Sequence, residues 1–134
     1  MTNDIELLKT LTVLYVEDEL LLRKLFGRFM KRRFAAVYEA ENGREGLEIY
    51  KTNKDDISIV ITDIEMPVMD GLMMIDKILE IQDYQPIIIT TGYNDERHTS
   101  KKACMHIIKP IDERKLLESI MFCVGKRSDC SNLH

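Results

Sequence analysis

The stretch Ile-Ser-Ile-Val-Ile-Thr-Asp at residues 57–63 decides the fold of this chain. The run is short, rich in β-branched residues and without alternation of polar and apolar positions, which is typical of a strand buried on both faces of a parallel sheet. Asp63 then stands at the carboxyl end of the strand, where open α/β sheets bind their ligands. Pro67 and the Asp70-Gly71 pair indicate a loop before the next helix. A carboxylate in this position is a candidate nucleophile, a candidate metal ligand, or both.

Strand and helix signals alternate five times along the chain. Four further apolar segments predict strands, and they lie at 12–16, 35–38, 87–91 and 105–108. Amphipathic spacing predicts helices between them, the first with an inward face formed by Leu22, Leu25, Phe26 and Phe29. The segment 94–102 predicts a short, atypical fourth helix, because it has almost no apolar face.

Five strand–helix units in this order predict an α/β domain, in which a parallel sheet carries helices on both faces and right-handed crossovers. Of the two common doubly wound strand orders, the flavodoxin-like order 2-1-3-4-5 suits five strands. This order makes strands one and three neighbours at a spacing of about 4.8 Å. We expect Asp18 and Asp63 to converge at the carboxyl edge of the sheet, together with Thr91 and Lys109 at the ends of strands four and five.

The size and composition are those of one globular domain. The chain has 134 residues, of which 45% are apolar and 31% charged. Its formal net charge of -4 gives no reason to expect direct binding of nucleic acid. No apolar stretch is long enough to cross a membrane, so we expect no membrane partner. We predict the domain at 11–126, with an N-terminal extension at 1–10, a last helix ending at 125–127 and a flexible tail at 127–134.

The three cysteines, Cys104, Cys123 and Cys130, bear on the cellular location. Their number is odd and their spacing is not that of a metal site, so we expect reduced thiols. The first residues show neither the basic nor the apolar region of a signal peptide. These features predict a cytoplasmic protein.

Glu17, Asp18 and Asp63 would meet in one crevice of the predicted sheet. At about 4 Å and an effective dielectric constant of about 20, each pair of carboxylates repels by roughly 4 kcal/mol. A divalent cation removes this repulsion, and the charges of three carboxylates, Mg²⁺ and Lys109 sum to zero. Mg²⁺ prefers few carboxylates, several waters and phosphate oxygens, which would leave Asp63 a free oxygen. The sequence therefore predicts Mg²⁺ as the cofactor.

The free oxygen of Asp63 is a candidate nucleophile toward phosphorus, because carboxylates act in this way in covalent catalysis. Phosphoryl transfer spreads negative charge over three equatorial oxygens. Mg²⁺, the Lys109 ammonium group and the Thr91 hydroxyl are each suited to hold one of them. The predicted chemistry is the formation of an acyl phosphate on Asp63.

Four sequence blocks together resemble the receiver domain of two-component response regulators, the family of the chemotaxis regulators. The blocks are Val-Glu-Asp-Glu at 16–19, Thr-Asp-Ile-Glu-Met-Pro-Val-Met-Asp-Gly at 62–71, Pro-Ile-Ile-Ile-Thr-Thr-Gly at 86–92 and Lys-Pro at 109–110. They occur in the family's order, and the resemblance runs from about residue 11 to residue 124. It implies a module of a two-component phosphorelay.

The resemblance implies that Asp63 is the phosphoacceptor. The donor would be a phosphohistidine on a histidine kinase or a phosphotransfer protein. Lys109 and Thr91 would contact the transferred group. Thr91 is preferred to Thr90 as the switch hydroxyl, because the family's small residue follows it, here Gly92.

The resemblance also implies a ligand set for the metal. Asp18 and Asp63 would bind Mg²⁺ directly, Glu65 through its backbone carbonyl, and Glu17 indirectly, through water or by orienting the metal. The Lys109–Pro110 peptide bond would be cis.

His106 occupies the switch position at which the family usually has an aromatic residue that reorients with the threonine. Glu65 and Tyr93 would border the approach of water and tune autodephosphorylation. Phosphorylation would switch the face formed by the fourth strand, fourth helix, fifth strand and last helix. That face would bind an unknown downstream protein or act on a fused output domain, and a phosphorylation-linked dimer is one form this output can take.

Two other functions stay open at this point. A phosphatase of the haloacid dehalogenase type also forms an aspartyl phosphate and needs an acid two residues later, a place that Glu65 fills. Such enzymes need a cap and further loops, for which this chain is short. A degenerate receiver would act only as a constitutive docking module. For a receiver we expect no turnover of an external substrate, and hence no enzyme in the usual sense.

Overall fold

The computed structural model describes residues 2–93 and 99–132, with side chains described for 4–93 and 99–125. Its helices are α1 (Thr2–Leu8), α2 (Leu20–Lys31), α3 (Gly43–Asn53), α4 (Gly71–Ile81) and α5 (Glu113–Asn132). Its strands are β1 (Thr12–Val16), β2 (Ala36–Ala40), β3 (Ile59–Asp63), β4 (Ile87–Thr91) and β5 (Met105–Ile108). The five predicted strands are confirmed within two residues at either end.

All strand pairs are parallel, and the strand order is β2-β1-β3-β4-β5. The central strand β3 pairs with β1 on one side and with β4 on the other, where Asp63 lies opposite Thr90. Ile61 of β3 is buried on one face of the sheet and Val60 on the other. This burial on both faces confirms the interpretation of the run at 57–63 and the flavodoxin-like α/β fold.

Two hydrophobic clusters cover the two faces of the sheet. On the face of α2 and α5, Phe26, Met30 and Ile120 belong to one cluster with Tyr15 and Ile61. On the face of α3 and α4 the core consists mainly of aliphatic residues and one tyrosine, among them Leu14, Tyr50, Val60, Ile75 and Ile78. Helices therefore lie on both faces of the sheet, as predicted.

The inward face predicted for α2 is wrong at Leu25, whose side chain is 59% exposed. Phe26, Phe29 and Met30 are buried and define the arc of the helix that packs on the sheet. Leu25 lies outside that arc, because each residue of a helix is rotated by about 100° from the one before it.

The N-terminal extension predicted at 1–10 forms helix α1 and a turn. Thr10 and Leu11 donate backbone hydrogen bonds to the carbonyl oxygens of Leu7 and Leu8. Leu8 and Leu11 are buried in the same cluster as the residues of α2 and α5. The extension is thus anchored to the domain by apolar contacts.

The fourth connection differs from its prediction. Residues 94–98 of the predicted fourth helix lie outside the described residues, and the described part at 99–102 is irregular and turn-like rather than helical. The prediction of a helix at 99–102 is therefore wrong. Its physical reason is the missing apolar face, since packing of such a face supplies most of the stability of a short helix.

The end of the last helix was predicted too early. Helix α5 continues through Gly125 and reaches Asn132, so the predicted helix end at 125–127 is wrong, whereas the flexibility expected for residues 127–134 stays a prediction. Gly125 does not adopt the positive φ of a helix-ending glycine. A glycine inside a helix costs only about 1 kcal/mol relative to alanine and does not end a helix by itself.

The prediction of reduced thiols is also wrong for two cysteines, because Cys104 and Cys123 are joined by a disulfide. Their Cα atoms lie 6.0 Å apart although 19 positions separate them in sequence. The fold brings the residue before β5 next to α5, a proximity that neither the number nor the spacing of the cysteines encodes. Cys130 lies in the part of α5 whose side chains are not described.

Candidate functional site

Three strands deliver charged residues to one point at the carboxyl edge of the sheet. Glu17 and Asp18 follow β1, Asp63 ends β3, and Lys109 follows β5. Lys109 Nζ lies 2.9 Å from Glu17 Oε1 and 3.0 Å from Asp63 Oδ2. The lysine thus bridges two carboxylates from different strands, and the predicted convergence of these residues is present in the structure.

The carboxylates of Glu17, Asp18 and Asp63 form one acidic cluster. Each residue contributes an oxygen atom, and these three oxygens all lie within 4.8 Å of one another. Hard oxygen ligands at such short separations fit a divalent cation such as Mg²⁺, which binds through one or two carboxylates and keeps several waters. The donor set is therefore compatible with magnesium.

Burial makes the charges of this cluster interdependent. The Glu17 side chain is fully buried, and this desolvation raises the pKa of its carboxyl above the usual value, although the hydrogen bonds from Lys109 and from the Glu19 backbone N–H oppose the shift. Desolvation lowers the pKa of Lys109, but the hydrogen bonds to Glu17 and Asp63 outweigh it, so the net direction is upward. The ammonium group is thus held in its charged form by its two acidic partners.

Backbone contacts fix the position of Asp63. The Ile64 N–H donates to Asp63 Oδ1 at 2.7 Å, and the Gly71 N–H donates to the Ile64 carbonyl at 2.7 Å. A Cβ atom on Gly71 would collide with the Asp63 carbonyl oxygen. Asp70 caps α4 by accepting from the Met73 N–H at 2.8 Å, so the Asp-Gly pair both begins the helix and lets it approach the end of β3.

The loop between Asp63 and α4 contains a strained residue. Val68 has a φ of 71°, a value that a β-branched side chain rarely adopts. The Met69 N–H donates to the Pro67 carbonyl at 2.7 Å, so the chain makes a tight turn around Val68. Gly43 donates to the Met69 carbonyl at 2.9 Å and has no room for a Cβ there, which holds the far side of the loop against the start of α3.

The remaining predicted site residues lie on β4 and β5 and in the segments that follow β3 and β4. Thr91 ends β4, is buried and accepts a hydrogen bond from the Tyr93 N–H at 3.1 Å. Tyr93 is 48% exposed, and Glu65 is exposed in the loop after Asp63. His106 is half-buried on β5, and its Nε2 accepts from the Ser100 N–H at 3.0 Å. The roles assigned to these four residues stay predictions, whereas the cis Lys109–Pro110 bond is confirmed.

One supporting residue was not recognised in the sequence. Arg23 lies near the start of α2, and its Nη1 donates to the Glu17 carbonyl at 2.7 Å and ties that helix to the acidic turn. Its position six residues after Glu17, one turn into the helix, is the only signal that could have indicated the contact.

Comparison with known proteins decides the family. The model of the response regulator receiver domain family matches residues 13–121. The chain belongs to this family. The acidic cluster, the bridging lysine and the strand order are thus features of a receiver domain of two-component systems, of the type found in chemotaxis regulators.

Two curated relatives illustrate the range of proteins that this receiver domain is similar to. It is 32% identical over 113 residues to the chemotaxis protein CheY of Treponema pallidum (strain Nichols). The aligned residues make up 81% of this chain and 78% of that protein. It is 30% identical over 112 residues to the transcriptional regulatory protein GlrR of Escherichia coli (strain K12), again over 81% of this chain but only 25% of that protein. The chain therefore spans most of one relative and about a quarter of the other.

A solved structure supports the same assignment for this receiver domain. The crystal structure of the CheX-CheY-BeF3-Mg²⁺ complex from Borrelia burgdorferi contains a chain that is 28% identical, with a TM-score of 0.77 and coverage of 84% of this chain and 87% of that one.

Among the described residues, no helix has the length and apolar character needed to cross a membrane.

Proposed function

We propose that this receiver domain accepts a phosphoryl group on Asp63 from a phosphohistidine of a histidine kinase or a phosphotransfer protein. The observation that carries the proposal is the bridge formed by Lys109 Nζ between Glu17 Oε1 and Asp63 Oδ2, beside the Asp18 carboxylate. This arrangement sets a cation and a metal-binding acid pair next to one partly exposed carboxylate. Acyl phosphate formation needs those elements.

In the proposed reaction an oxygen of Asp63 forms a bond to phosphorus while the phosphorus–nitrogen bond of the donor breaks. The departing imidazole nitrogen takes up a proton. The Ile64 N–H and Lys109 Nζ hold the two carboxylate oxygens and orient the side chain. Lys109 also lies within reach of the oxygens of the incoming group and stabilises their negative charge.

Asp18 and Asp63 are the side chains that would hold Mg²⁺ directly, with the Glu65 carbonyl as a further ligand and Glu17 acting indirectly, through water or by orienting the metal. When bound, Mg²⁺ neutralises the negative charge that accumulates when phosphate approaches three carboxylates. The residues themselves hold the acidic turn in place, since Glu17 is fully buried and anchored through Lys109, the Glu19 N–H and Arg23, whereas Asp18 is exposed.

We further propose that the acyl phosphate acts as a switch through Thr91 and Lys109. Both residues lie at the ends of the strands that lead to β5 and α5, so a shift toward the phosphoryl group is transmitted to that side of the sheet. His106 responds through its hydrogen bond to the Ser100 N–H. The output is binding of a downstream protein, dimerisation, or an effect on a fused output domain, in the cytoplasm and without direct contact to nucleic acid or a membrane.

This function involves no turnover of an external substrate. The domain modifies its own aspartate and loses the phosphoryl group by hydrolysis, at a rate that Glu65 and Tyr93 tune. The match to the receiver family speaks against a phosphatase of the haloacid dehalogenase type. The bridge made by Lys109 favours a phosphorylated receiver over a degenerate docking module, because a docking module needs no half-buried cation between two acids.

Acetyl phosphate tests the proposal, because it is a small donor that needs no partner protein. We expect intact-mass spectrometry to show the gain of one phosphoryl group in the presence of Mg²⁺ and no gain with EDTA. Asp63→Asn should abolish the gain, whereas Asp55→Asn, which changes an exposed carboxylate in the turn after α3, should not. Equal labelling of wild type and Asp63→Asn would refute the proposal.

A further inference from the structure

The disulfide between Cys104 and Cys123 lies on the side of the sheet that carries β5 and α5. Cys104 immediately precedes β5 and is partly buried, whereas Cys123 is 1% exposed on the inward face of α5. The Cys104 N–H also donates to the Ile87 carbonyl at 2.7 Å, which fixes this residue to β4. The bond therefore fastens α5 to the edge of the sheet.

The covalent loop closed by this bond contains functional residues. It runs from 104 to 123 and includes all of β5, His106, Lys109 and the first half of α5. β5 is an edge strand that pairs only with β4. Without the bond, α5 is held on the sheet mainly by apolar packing of Leu116, Ile120 and Cys123 in the cluster that contains Ile107.

A lasting disulfide is unusual in the compartment that we propose for this domain. Cytosolic disulfides of mesophilic proteins are mostly transient and either catalytic or redox-sensing. The two cysteines differ in exposure, since Cys104 is partly exposed and Cys123 is 1% exposed. This difference fits a pair in which the accessible thiol reacts first and the buried thiol then attacks the resulting mixed disulfide.

We propose that Cys104 and Cys123 form a redox site whose substrates are small disulfides and thiols of the glutathione class, and that oxidation restrains the switch of the receiver domain. The effect of oxidation on the switch rests on the function proposed above. The redox site itself rests only on the two cysteines and their position.

The proposed oxidation is two steps of thiol–disulfide exchange. The Cys104 thiolate attacks one sulfur of oxidised glutathione, forms a mixed disulfide and releases one glutathione thiolate. The Cys123 thiolate then attacks the Cys104 sulfur and releases the second. The protein dithiol loses two electrons and two protons, and one molecule of oxidised glutathione becomes two of reduced glutathione.

The restraint follows from the position of the bond. A cross-link that holds α5 against the start of β5 opposes any rearrangement of these two elements, including the one that the proposed switch requires. Because coupling between two sites is reciprocal, an arrangement that opposes the phosphorylated state lowers the level of phosphorylation. We expect the steady-state level with acetyl phosphate to fall by about fivefold or more on oxidation.

The redox site is tested by titration in a Cys130→Ser background, which removes the third thiol. The protein is equilibrated with mixtures of reduced and oxidised glutathione, free thiols are alkylated, and intact mass is measured. We expect both thiols to become protected together and reversibly, and Cys104→Ser or Cys123→Ala to leave the other cysteine as a free thiol or a glutathione adduct. Alkylation of both cysteines in every mixture, or protection that dithiothreitol cannot reverse, would overturn the redox site.

The restraint is tested by comparing the oxidised and reduced forms of that same protein. We expect oxidation to raise Tm by roughly 5–15 °C, to slow amide hydrogen exchange of β5 and α5 on the order of tenfold, and to lower steady-state phosphorylation. The Cys104→Ser variant should show no redox dependence in any of these. Equal phosphorylation of the oxidised and reduced forms would overturn the restraint. Absence of phosphorylation in both forms would overturn the restraint together with the proposed function, and the thiol titration would still decide the redox site.

Discussion

At the residue scale, the site depends on how the charge of Glu17 is compensated. This carboxylate is fully buried, and its partner Lys109 has a side chain that is 20% exposed. Removing one partner of a buried ion pair leaves an uncompensated charge and is strongly destabilising, whereas an exposed ion pair contributes little. The chain offers both kinds, because Lys102 pairs with Asp76 on the surface.

We expect Lys109→Ala to lower the free energy of unfolding by about 2–4 kcal/mol. Lys102→Ala, the matched control, should lower it by less than about 1 kcal/mol. Urea denaturation monitored by circular dichroism measures both. Equal effects of the two substitutions would contradict the description of the Lys109 bridge as buried.

Gly71 permits the close approach of α4 to Asp63. We expect Gly71→Ala to destabilise the domain by about 2 kcal/mol or more, because the new Cβ would collide with the Asp63 carbonyl oxygen. Gly125 has open space around its Cβ position and lies in α5, so Gly125→Ala should stabilise by about 0.5–1 kcal/mol. Opposite signs in urea denaturation are the expected result, and a loss of stability in both variants would contradict it.

Tyr15 gives the domain a specific sensitivity to alkaline pH. Burial raises the pKa of its phenol, and the nearby carboxylates of Glu17 and Asp63 raise it further. In the unfolded chain the phenol ionises near pH 10, so above that pH the unfolded state binds fewer protons than the folded state and stability falls. The contribution of the protonated Tyr15 phenol to the free energy of unfolding is complete below about pH 10 and is lost as the pH rises above that value.

Tyr15→Phe should remove this part of the decrease in the free energy of unfolding at alkaline pH. Between pH 8 and pH 11 the wild type should lose about 1.4 kcal/mol more than the variant, as measured by urea midpoints at both pH values. The Tyr15 hydroxyl is buried and has no hydrogen-bond partner among the described residues, so the substitution should not destabilise at pH 8. Parallel losses in the two proteins would contradict the raised pKa.

At the element scale, the loop between β3 and α4 stores backbone strain next to Asp63, the proposed phosphoacceptor. Val68 is 73% exposed, so its side chain gains little from packing while its φ of 71° is unfavourable. Asn tolerates this region far better than valine. We expect Val68→Asn to raise the free energy of unfolding by about 1 kcal/mol, measured by urea denaturation, with the conservative Val68→Ile as the control. A destabilised Val68→Asn variant would contradict the strained geometry.

The elements themselves were predictable to different degrees. Apolar runs located all five strands, most clearly β1, β3 and β4, because strands buried along almost their whole length are apolar throughout. The end of α5 was missed, since Gly125 favours a helix end without enforcing one. The helix predicted at 99–102 was wrong because this segment has almost no apolar face. The strand–helix alternation in the rest of the chain does not stabilise a helix that lacks such a face.

At the scale of the whole molecule, the topology accounts for the site. Residues separated by more than ninety positions meet because the order 2-1-3-4-5 brings the ends of β1, β3 and β5 together; Lys109 and Glu17, for example, lie 92 residues apart. The sequence predicted this convergence through the strand order. It did not predict the bond between Cys104 and Cys123, because their distance depends on the packing of α5 and not on any local pattern.

Binding of Mg²⁺ should stabilise the whole domain, because the acidic cluster exists only in the folded state. At a concentration of about ten times the dissociation constant, the expected gain is about 1.4 kcal/mol, and EDTA should reverse it. Asp18→Asn should remove most of the gain, whereas Asp55→Asn should retain it. Thermal unfolding with and without MgCl₂ measures the effect, and an equal gain in wild type and Asp18→Asn would contradict the proposed ligand set.

The most direct test of the phosphoacceptor locates the modified residue. The protein is incubated with acetyl phosphate and Mg²⁺, treated with borohydride, which reduces an acyl phosphate on aspartate to homoserine, and mapped by peptide mass spectrometry. We predict homoserine at position 63 alone, dependent on Mg²⁺ and strongly reduced in Lys109→Ala. Homoserine at Asp18 or at another carboxylate, with position 63 unchanged, would contradict the assignment of Asp63.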